Sequence, residues 1–105
     1  MHDDIALAIE NQFPSLQETL EELVRMPSVS APGYDPGEVR RSAEFTADLL
    51  RAAGFDAVQL LEHEDAHPAV YGEIVGPEGA PTVLLYAHHD VQPPGPDEEW
   101  HTAPF

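Results

Sequence analysis

Residues 82–93 read Thr-Val-Leu-Leu-Tyr-Ala-His-His-Asp-Val-Gln-Pro, and this stretch decides the fold. It opens with a nearly pure apolar run, which is typical of a buried β-strand. Because apolar side chains lie on both faces of such a strand, we expect residues 82–87 to form a central strand that is covered on both sides. The run then changes abruptly to imidazoles and a carboxylate, so chemically active groups are expected at the end of this strand.

His88, His89 and Asp90 form the candidate metal-binding group. Side chains alternate across a strand, so an extended backbone would point His88 and Asp90 to one side and His89 to the other. Two arrangements suit a divalent cation: both groups bind it, or His88 binds it while Asp90 hydrogen-bonds the other ring nitrogen. In open α/β sheets, ligands collect beyond the carboxyl ends of the strands, where His88 lies.

Two helices are predicted before the strands. Apolar spacing over residues 5–24 predicts a helix that ends near Arg25. Pro14 interrupts it, and the next residue opens a capping-box pattern, so a kinked helix and two short helices are both open. A second helix is expected between Asp35, as its N-cap, and Gly54, as its C-terminal cap.

Strand patterns follow at residues 55–61 and 69–75, before the apolar run. The predicted fold class is α/β, with two N-terminal helices packed against the first strands of a mixed sheet. Two helices and three strands cannot cover a strand that is apolar on both faces. We therefore expect residues 1–105 to form only part of a domain.

Composition restricts the partners, the metal ligands and the location. The chain has 20 acidic and 4 basic residues, with a formal net charge of −16. Such a surface repels nucleic-acid phosphates and anionic lipids, so we expect neither nucleic acid nor a membrane as partner. Without cysteine, any metal must be bound by His, Asp or Glu. The acidic N-terminus lacks the pattern of a signal peptide, and no apolar run approaches a membrane span, so a cytoplasmic protein is expected.

Three motifs occur in an order that matches a known family. Residues 86–93 resemble the first metal-site motif of the dinuclear-zinc exopeptidases. That family includes carnosinase-like dipeptidases, aminoacylases, acetylornithine deacetylases, succinyl-diaminopimelate desuccinylases and glutamate carboxypeptidases. Residues 23–30, Leu-Val-Arg-Met-Pro-Ser-Val-Ser, resemble its helix-to-loop segment, and residues 99–105, Glu-Trp-His-Thr-Ala-Pro-Phe, resemble the Trp…Pro-Phe stretch after the metal-site motif. The Val-Gln-Pro form of the first motif favours the dipeptidase branch.

The resemblance implies a role for each residue of the candidate group. His88 would be a zinc ligand, and Asp90 would orient His88 rather than bridge the metal ions. His89 occupies a variable position and receives no ligand role, and no other cofactor-binding residue is assigned. The complete enzyme would hold two zinc ions, with its bridging Asp, its general-base Glu and the remaining ligands later in the sequence.

The resemblance also implies what the chain is part of. Residues 1–105 would be the N-terminal part of a zinc-exopeptidase catalytic domain, without the lid or dimerisation domain, and a homodimeric parent is compatible with it. The parent would hydrolyse the amide bond of dipeptides or N-acyl amino acids. The isolated chain is expected to have no peptidase activity and only weak metal affinity. The alternative is a non-catalytic acidic binding module that keeps the family's early fold.

Other chemically active residues receive a simpler interpretation. His63 and His67 have a spacing of four residues, but Pro68 follows and strand patterns flank them, so they predict a solvated hairpin loop. Ser28 and Ser30 have no accompanying base or oxyanion arrangement that would make either a nucleophile. We therefore interpret both serines as turn residues.

Overall fold

The computed structural model describes residues 2–105. Helix α1 spans His2–Arg25 and helix α2 spans Pro36–Ala52. The antiparallel strands β1 and β2 follow at Asp56–His63 and Ala66–Glu73, and a short 3-10 helix lies at Asp97–Glu99. Two helices followed by an antiparallel hairpin are an α/β arrangement, which confirms the predicted fold class. None of the described helices has the length and apolarity that crossing a bilayer requires.

Helix α1 continues through Pro14 as one element and ends at Arg25, where the sequence predicts its end. The Ser15 hydroxyl donates to Gln12 O at 2.8 Å and does not cap a new helix. Such a bond to a carbonyl three residues back is a known alternative to capping for serine inside a helix. The possibility of two short helices is therefore wrong. No residue of α1 is buried, so its apolar stripe lies exposed.

Helix α2 has both of its predicted caps. Asp35 Oδ1 accepts from the amide two residues later at 2.8 Å, which satisfies one of the free donors of the first turn. Gly54 has a φ of +92°, a conformation that side chains resist. The amides of Gly54 and the next residue donate to Arg51 O and Leu50 O, both at 3.0 Å, which is the Schellman ending.

The core lies where α2 meets the hairpin and the loop after α1. In the strands, the least exposed residues alternate along the side of the hairpin that packs against α2, as a half-covered sheet requires. The fully or nearly buried side chains are apolar except for two serines: Met26, Val29, Val39, Ala43, Ala47, Ser28 and Ser42.

The largest difference from the sequence prediction concerns residues 82–87. The sheet of the described chain has two strands, and this apolar run is not paired with either. Residues 83–86 are between 74% and 91% exposed. A strand exists only where a neighbour satisfies its backbone groups, and neither outer edge of the β1–β2 hairpin pairs with residues 82–87. Within residues 2–105, the apolar run at residues 82–87 therefore does not form the predicted central strand.

Gly72 allows α2 to approach the hairpin closely. A Cβ at this position would lie 3.2 Å from Val58 Cγ2 and 3.4 Å from Leu50 Cδ1. We expect Gly72→Val to lower the free energy of unfolding by about 1–3 kcal/mol, because extra methyl groups force packed neighbours apart. Denaturant unfolding measures the change.

Gly76→Val is the matched control for this substitution. A Cβ at Gly76 would meet no atom of the described part of the chain within 4 Å. We expect a change within about 0.5 kcal/mol there, as for ordinary surface substitutions. Equal decreases in the free energy of unfolding of the two variants would show that Val58 and Leu50 do not pack tightly against Gly72.

Candidate metal site

Two distant segments lie side by side at the candidate site. Val29, in the loop after α1, forms an isolated parallel bridge with Val91, and Val91 N–H donates to Ser28 O at 3.1 Å. This pairing carries the loop alongside the end of the His-His-Asp motif. Side chains that neighbour the paired valines in sequence therefore come within reach of each other.

His88 and Asp90 are hydrogen-bonded to each other. His88 Nδ1 lies 2.9 Å from Asp90 Oδ1 and 3.0 Å from Asp90 O. Because an ionised carboxylate and a backbone carbonyl only accept, Nδ1 must carry the proton. In the neutral ring the lone pair then lies on Nε2. The His88 side chain is 68% exposed and that of Asp90 is 29% exposed, so the imidazole is accessible to a cation while the carboxylate lies behind it.

Asp90 receives a second hydrogen bond from Ser30. The Ser30 hydroxyl donates to Asp90 Oδ2 at 2.6 Å, a length typical of a hydroxyl bound to a charged carboxylate. This bond is the largest cause that holds the pKa of Asp90 below its ordinary value. Partial burial opposes the shift, and the hydrogen bond with His88 adds to it. Asp90 is therefore held as a carboxylate with a protein donor on each oxygen.

The lowered pKa of Asp90 predicts a pH dependence of stability. A carboxyl group whose folded-state pKa is depressed stabilises the fold above its unfolded-state pKa, and this contribution is lost as the pH falls through the folded-state pKa. The loss therefore occurs below about pH 4. We expect Asp90→Asn to flatten that part of the profile of unfolding free energy against pH.

Asp65→Asn, in the turn between β1 and β2, is the control for the loss of one negative charge. If both substitutions flatten the acidic part of the stability profile equally, net charge, and not the contacts of Asp90, governs the loss of stability at low pH.

His89 points away from His88 and joins two other elements. Its Nδ1 lies 2.7 Å from Ser42 Oγ on α2, and its Nε2–H donates to Pro68 O on β2 at 3.1 Å. Both ring nitrogens are engaged by the protein, so His89 is not free to bind a metal in this arrangement. Instead it ties the motif to the packed layer of helix and hairpin.

His63 and His67 are exposed, as predicted, but they lie in β1 and β2 beside the turn and not in the loop itself. His63 contacts the turn, and His67 links the hairpin to the loop after α1. His63 Nδ1 accepts from Asp65 N–H at 3.3 Å, and His67 Nε2–H donates to Ser30 O at 3.0 Å. Over residues 2–105, no group of three or more His, Cys, Asp or Glu side chains is arranged to hold a metal ion. The structure thus brings His88 and Asp90 together and leaves the remaining acidic and imidazole groups dispersed.

Two contributors to the site are not identified from the sequence. Ser30 is predicted to be a turn residue, yet its hydroxyl bonds Asp90, 60 positions away. His89 is given no role, yet it bridges α2 and β2. The only available signal for Ser30 is its place at the end of the motif at residues 23–30. Local patterns do not reveal the pairing of Val29 with Val91 that makes its contact.

Comparison with known proteins finds metallodipeptidases and desuccinylases among the relatives of the chain. The chain is 35% identical to the Cys-Gly metallodipeptidase of Candida albicans and 24% identical to that of Saccharomyces cerevisiae, each over 92% of the chain. Over 56% of the chain it is 44% identical to the succinyl-diaminopimelate desuccinylase of Xanthomonas euvesicatoria. No protein-family model matches the chain, and no solved structure matches it significantly.

The matched regions are small parts of these relatives. The chain spans 22% of the length of the two dipeptidases and 15% of that of the desuccinylase. Over most of its length the chain is therefore similar to part of a metallodipeptidase, and over a shorter stretch to part of a desuccinylase.

Proposed function

We propose that the chain belongs to the dinuclear-zinc exopeptidase and deacylase family and forms part of a zinc-dependent hydrolase of dipeptides. The observation that carries the proposal is the similarity to the Candida albicans Cys-Gly metallodipeptidase over 92% of the chain. Dipeptides are preferred as substrates because that match extends much further along the chain than the match to the desuccinylases.

His88 and Asp90 have the chemistry that a zinc site requires. A metal-binding histidine usually donates its other ring N–H to a carboxylate, which fixes the tautomer and raises the basicity of the ligand nitrogen. The hydrogen bond of 2.9 Å between His88 Nδ1 and Asp90 Oδ1 has this form. His88 Nε2 is accordingly the atom that would hold zinc, and Asp90 would orient it.

Catalytic zinc sites use three protein ligands. Since the described residues hold no such group, the other ligands would come from elsewhere in a larger protein. Bound zinc supplies Lewis-acid chemistry, which polarises the substrate carbonyl and activates water for amide hydrolysis. The contribution of this chain would be one ligand with a fixed tautomer. The isolated chain would accordingly bind zinc weakly and would not hydrolyse peptides.

Exposed apolar surface supports membership in a larger domain. Large apolar side chains of α1 and of residues 83–86 are exposed, and extensive exposed apolar surface marks a place where a protein contacts another surface. The exposed large side chains of these two regions are Ile5, Leu7, Ile9, Phe13, Leu16, Leu20, Val24, Val83, Leu84, Leu85 and Tyr86. A completed catalytic domain would bury both regions.

The setting of the activity is proposed from charge and composition. A formal net charge of −16 disfavours binding to nucleic acid and to anionic membranes, so a small peptide is the proposed partner. We propose a cytoplasmic location and a homodimeric parent as parts of the same assignment.

A second candidate substrate is an N-acyl amino acid. The 44% identity to the Xanthomonas euvesicatoria succinyl-diaminopimelate desuccinylase over 61 residues favours it. Both reactions cleave an amide bond and would use His88 in the same way. They differ in whether the acyl part carries a free amino group or a second carboxylate.

A chimera tests the proposal. Residues 1–105 replace the matched segment of the Candida albicans dipeptidase, and hydrolysis of Cys-Gly and of N-succinyl-diaminopimelate is measured with and without a chelator. We expect chelator-sensitive hydrolysis of Cys-Gly. His88→Ala should reduce it at least about 100-fold, because a metal ligand is lost.

His101→Ala, at an exposed loop histidine, is the control for the loss of an imidazole. A folded, zinc-loaded chimera that hydrolyses neither substrate would favour the binding-module alternative. Full activity of the His88→Ala chimera would refute the assignment of His88.

A further inference from the structure

We infer that Ser30 is a positioning residue of the proposed metal site, whose hydroxyl holds Asp90 Oδ2 so that Oδ1 faces His88 Nδ1. The inference rests on the proposed function, since it concerns how the zinc ligand is oriented. It extends the site by one residue that lies 60 positions away in sequence.

The two oxygens of Asp90 are bound by different partners. Ser30 Oγ–H donates to Oδ2 at 2.6 Å, and His88 Nδ1–H donates to Oδ1 at 2.9 Å. The terminal torsion of an aspartate is broad, so a carboxylate with a single partner turns easily about its last bond. With Ser30 in place, such a turn breaks two hydrogen bonds at once. Ser30 thereby increases the fraction of time that Asp90 Oδ1 is hydrogen-bonded to His88 Nδ1.

The hydroxyl of Ser30 is presented from a constrained backbone. The preceding residue, Val29, pairs with Val91, and Ser30 O accepts from His67 Nε2–H at 3.0 Å. The hairpin and the paired segments therefore restrain Ser30 from two sides. Because these backbone contacts do not use the Asp90 side chain, Ser30 can act as a fixed reference for the carboxylate.

The same contacts bear on the two arrangements that the sequence leaves open. A cation bound directly by Asp90 would share either oxygen with a protein donor, since each oxygen already accepts one hydrogen bond and keeps only its second lone pair for another partner. His88 Nε2 has no such competitor among the hydrogen bonds of the site, because only its Nδ1 is engaged. The Ser30 contact therefore favours the arrangement in which Asp90 orients and His88 binds.

The test compares the ring tautomer and the zinc affinity of His88 in four forms of the chain. These are the wild type, Ser30→Ala, Ser30→Thr and Ser28→Ala. Nitrogen-15 NMR gives the fraction of the Nδ1–H form, and titration with Zn²⁺ gives the dissociation constant at His88. Ser30→Thr keeps the hydroxyl, and Ser28→Ala removes a buried hydroxyl that has no hydrogen-bond partner within residues 2–105.

We expect Ser30→Ala to lower the Nδ1–H fraction of His88 and to weaken zinc binding about threefold to tenfold. This is less than the 10- to 100-fold typical for removing a contact made directly to a metal ligand. Ser30→Thr should restore both quantities, and Ser28→Ala should leave both unchanged. An Nδ1–H fraction and a dissociation constant that do not change in Ser30→Ala overturn the inference.

Internal signals separate a positioning role from a loss of structure. The ring of His89, held by Ser42 and Pro68, reports on the packed layer. A change at His88 alone supports positioning, and equal changes at both rings count against it. If a variant loses the protection of its backbone amides from hydrogen exchange, the titration of the isolated chain is replaced. Zinc retention is then measured in the chimera that carries the same substitution, and the same outcomes support or overturn the inference.

The inference and the proposed function fail in different ways. If zinc binds at His88 and Ser30→Ala has no effect, the function stands and the inference falls. If His88→Ala leaves zinc binding unchanged, the proposed function falls, and the inference falls with it.

Discussion

Asp90→Ala weakens zinc binding at His88 by about 10- to 100-fold, the usual range for loss of the group that orients a metal-binding histidine. The substitution removes the carboxylate that receives His88 Nδ1–H at 2.9 Å. Only the neutral backbone carbonyl of residue 90, 3.0 Å from Nδ1, then remains to hold the ring, which can turn more easily and adopt the tautomer with the proton on Nε2, the ligand atom. Zinc titration followed through the His88 ring signals measures the loss.

Asp90→Asn gives a graded comparison. The amide oxygen can still accept from Nδ1–H, but it carries no charge to raise the basicity of the ring. We expect a zinc affinity between those of the wild type and Asp90→Ala. Equal affinity in all three proteins would contradict the orienting role of Asp90, and loss of all binding in both variants would favour direct ligation by the carboxylate.

Ser42→Ala lowers the free energy of unfolding by about 1–3 kcal/mol, because it leaves polar groups without a partner inside the protein. The Ser42 hydroxyl is fully buried and lies 2.9 Å from Val39 O and 2.7 Å from His89 Nδ1. Its removal would also loosen the link between α2 and the metal-site motif. Denaturant unfolding measures the change.

Ser28→Ala is the matched comparison, since this serine is buried to the same extent. The Ser28 hydroxyl has no hydrogen-bond partner among the described residues. An unsatisfied buried hydroxyl costs free energy, so its removal should be neutral or stabilising. Equal losses in Ser42→Ala and Ser28→Ala would show that burial of the hydroxyl, and not its contacts, determines the cost.

Features set by neighbouring residues are predictable from the sequence. Asp35 and Gly54 bound α2 because capping depends on two or three adjacent amides and carbonyls. The hairpin around His63 and His67 follows from strand patterns on either side of a turn. The separation of His88 from His89 follows from the alternation of side chains along an extended backbone.

Features set by distant contacts are not predictable in this way. Continuation of α1 through Pro14 depends on a balance between one lost hydrogen bond and the remaining helix, which local signals do not decide. The apolar pattern of residues 82–87 predicts burial but contains no information on which strand would pair with it. The contact of Ser30 with Asp90 requires the parallel bridge between Val29 and Val91, and no local pattern encodes that register.

The central claim is that His88 Nε2 binds zinc while Asp90 holds the opposite side of the ring. Anomalous scattering at the zinc edge from crystals of the chimera that carries residues 1–105 tests it most directly. The account predicts a zinc peak about 2.0–2.1 Å from His88 Nε2, with Asp90 Oδ1 still hydrogen-bonded to Nδ1. A zinc peak on the Asp90 carboxylate, on His88 Nδ1, or at a site that does not include His88 would contradict it.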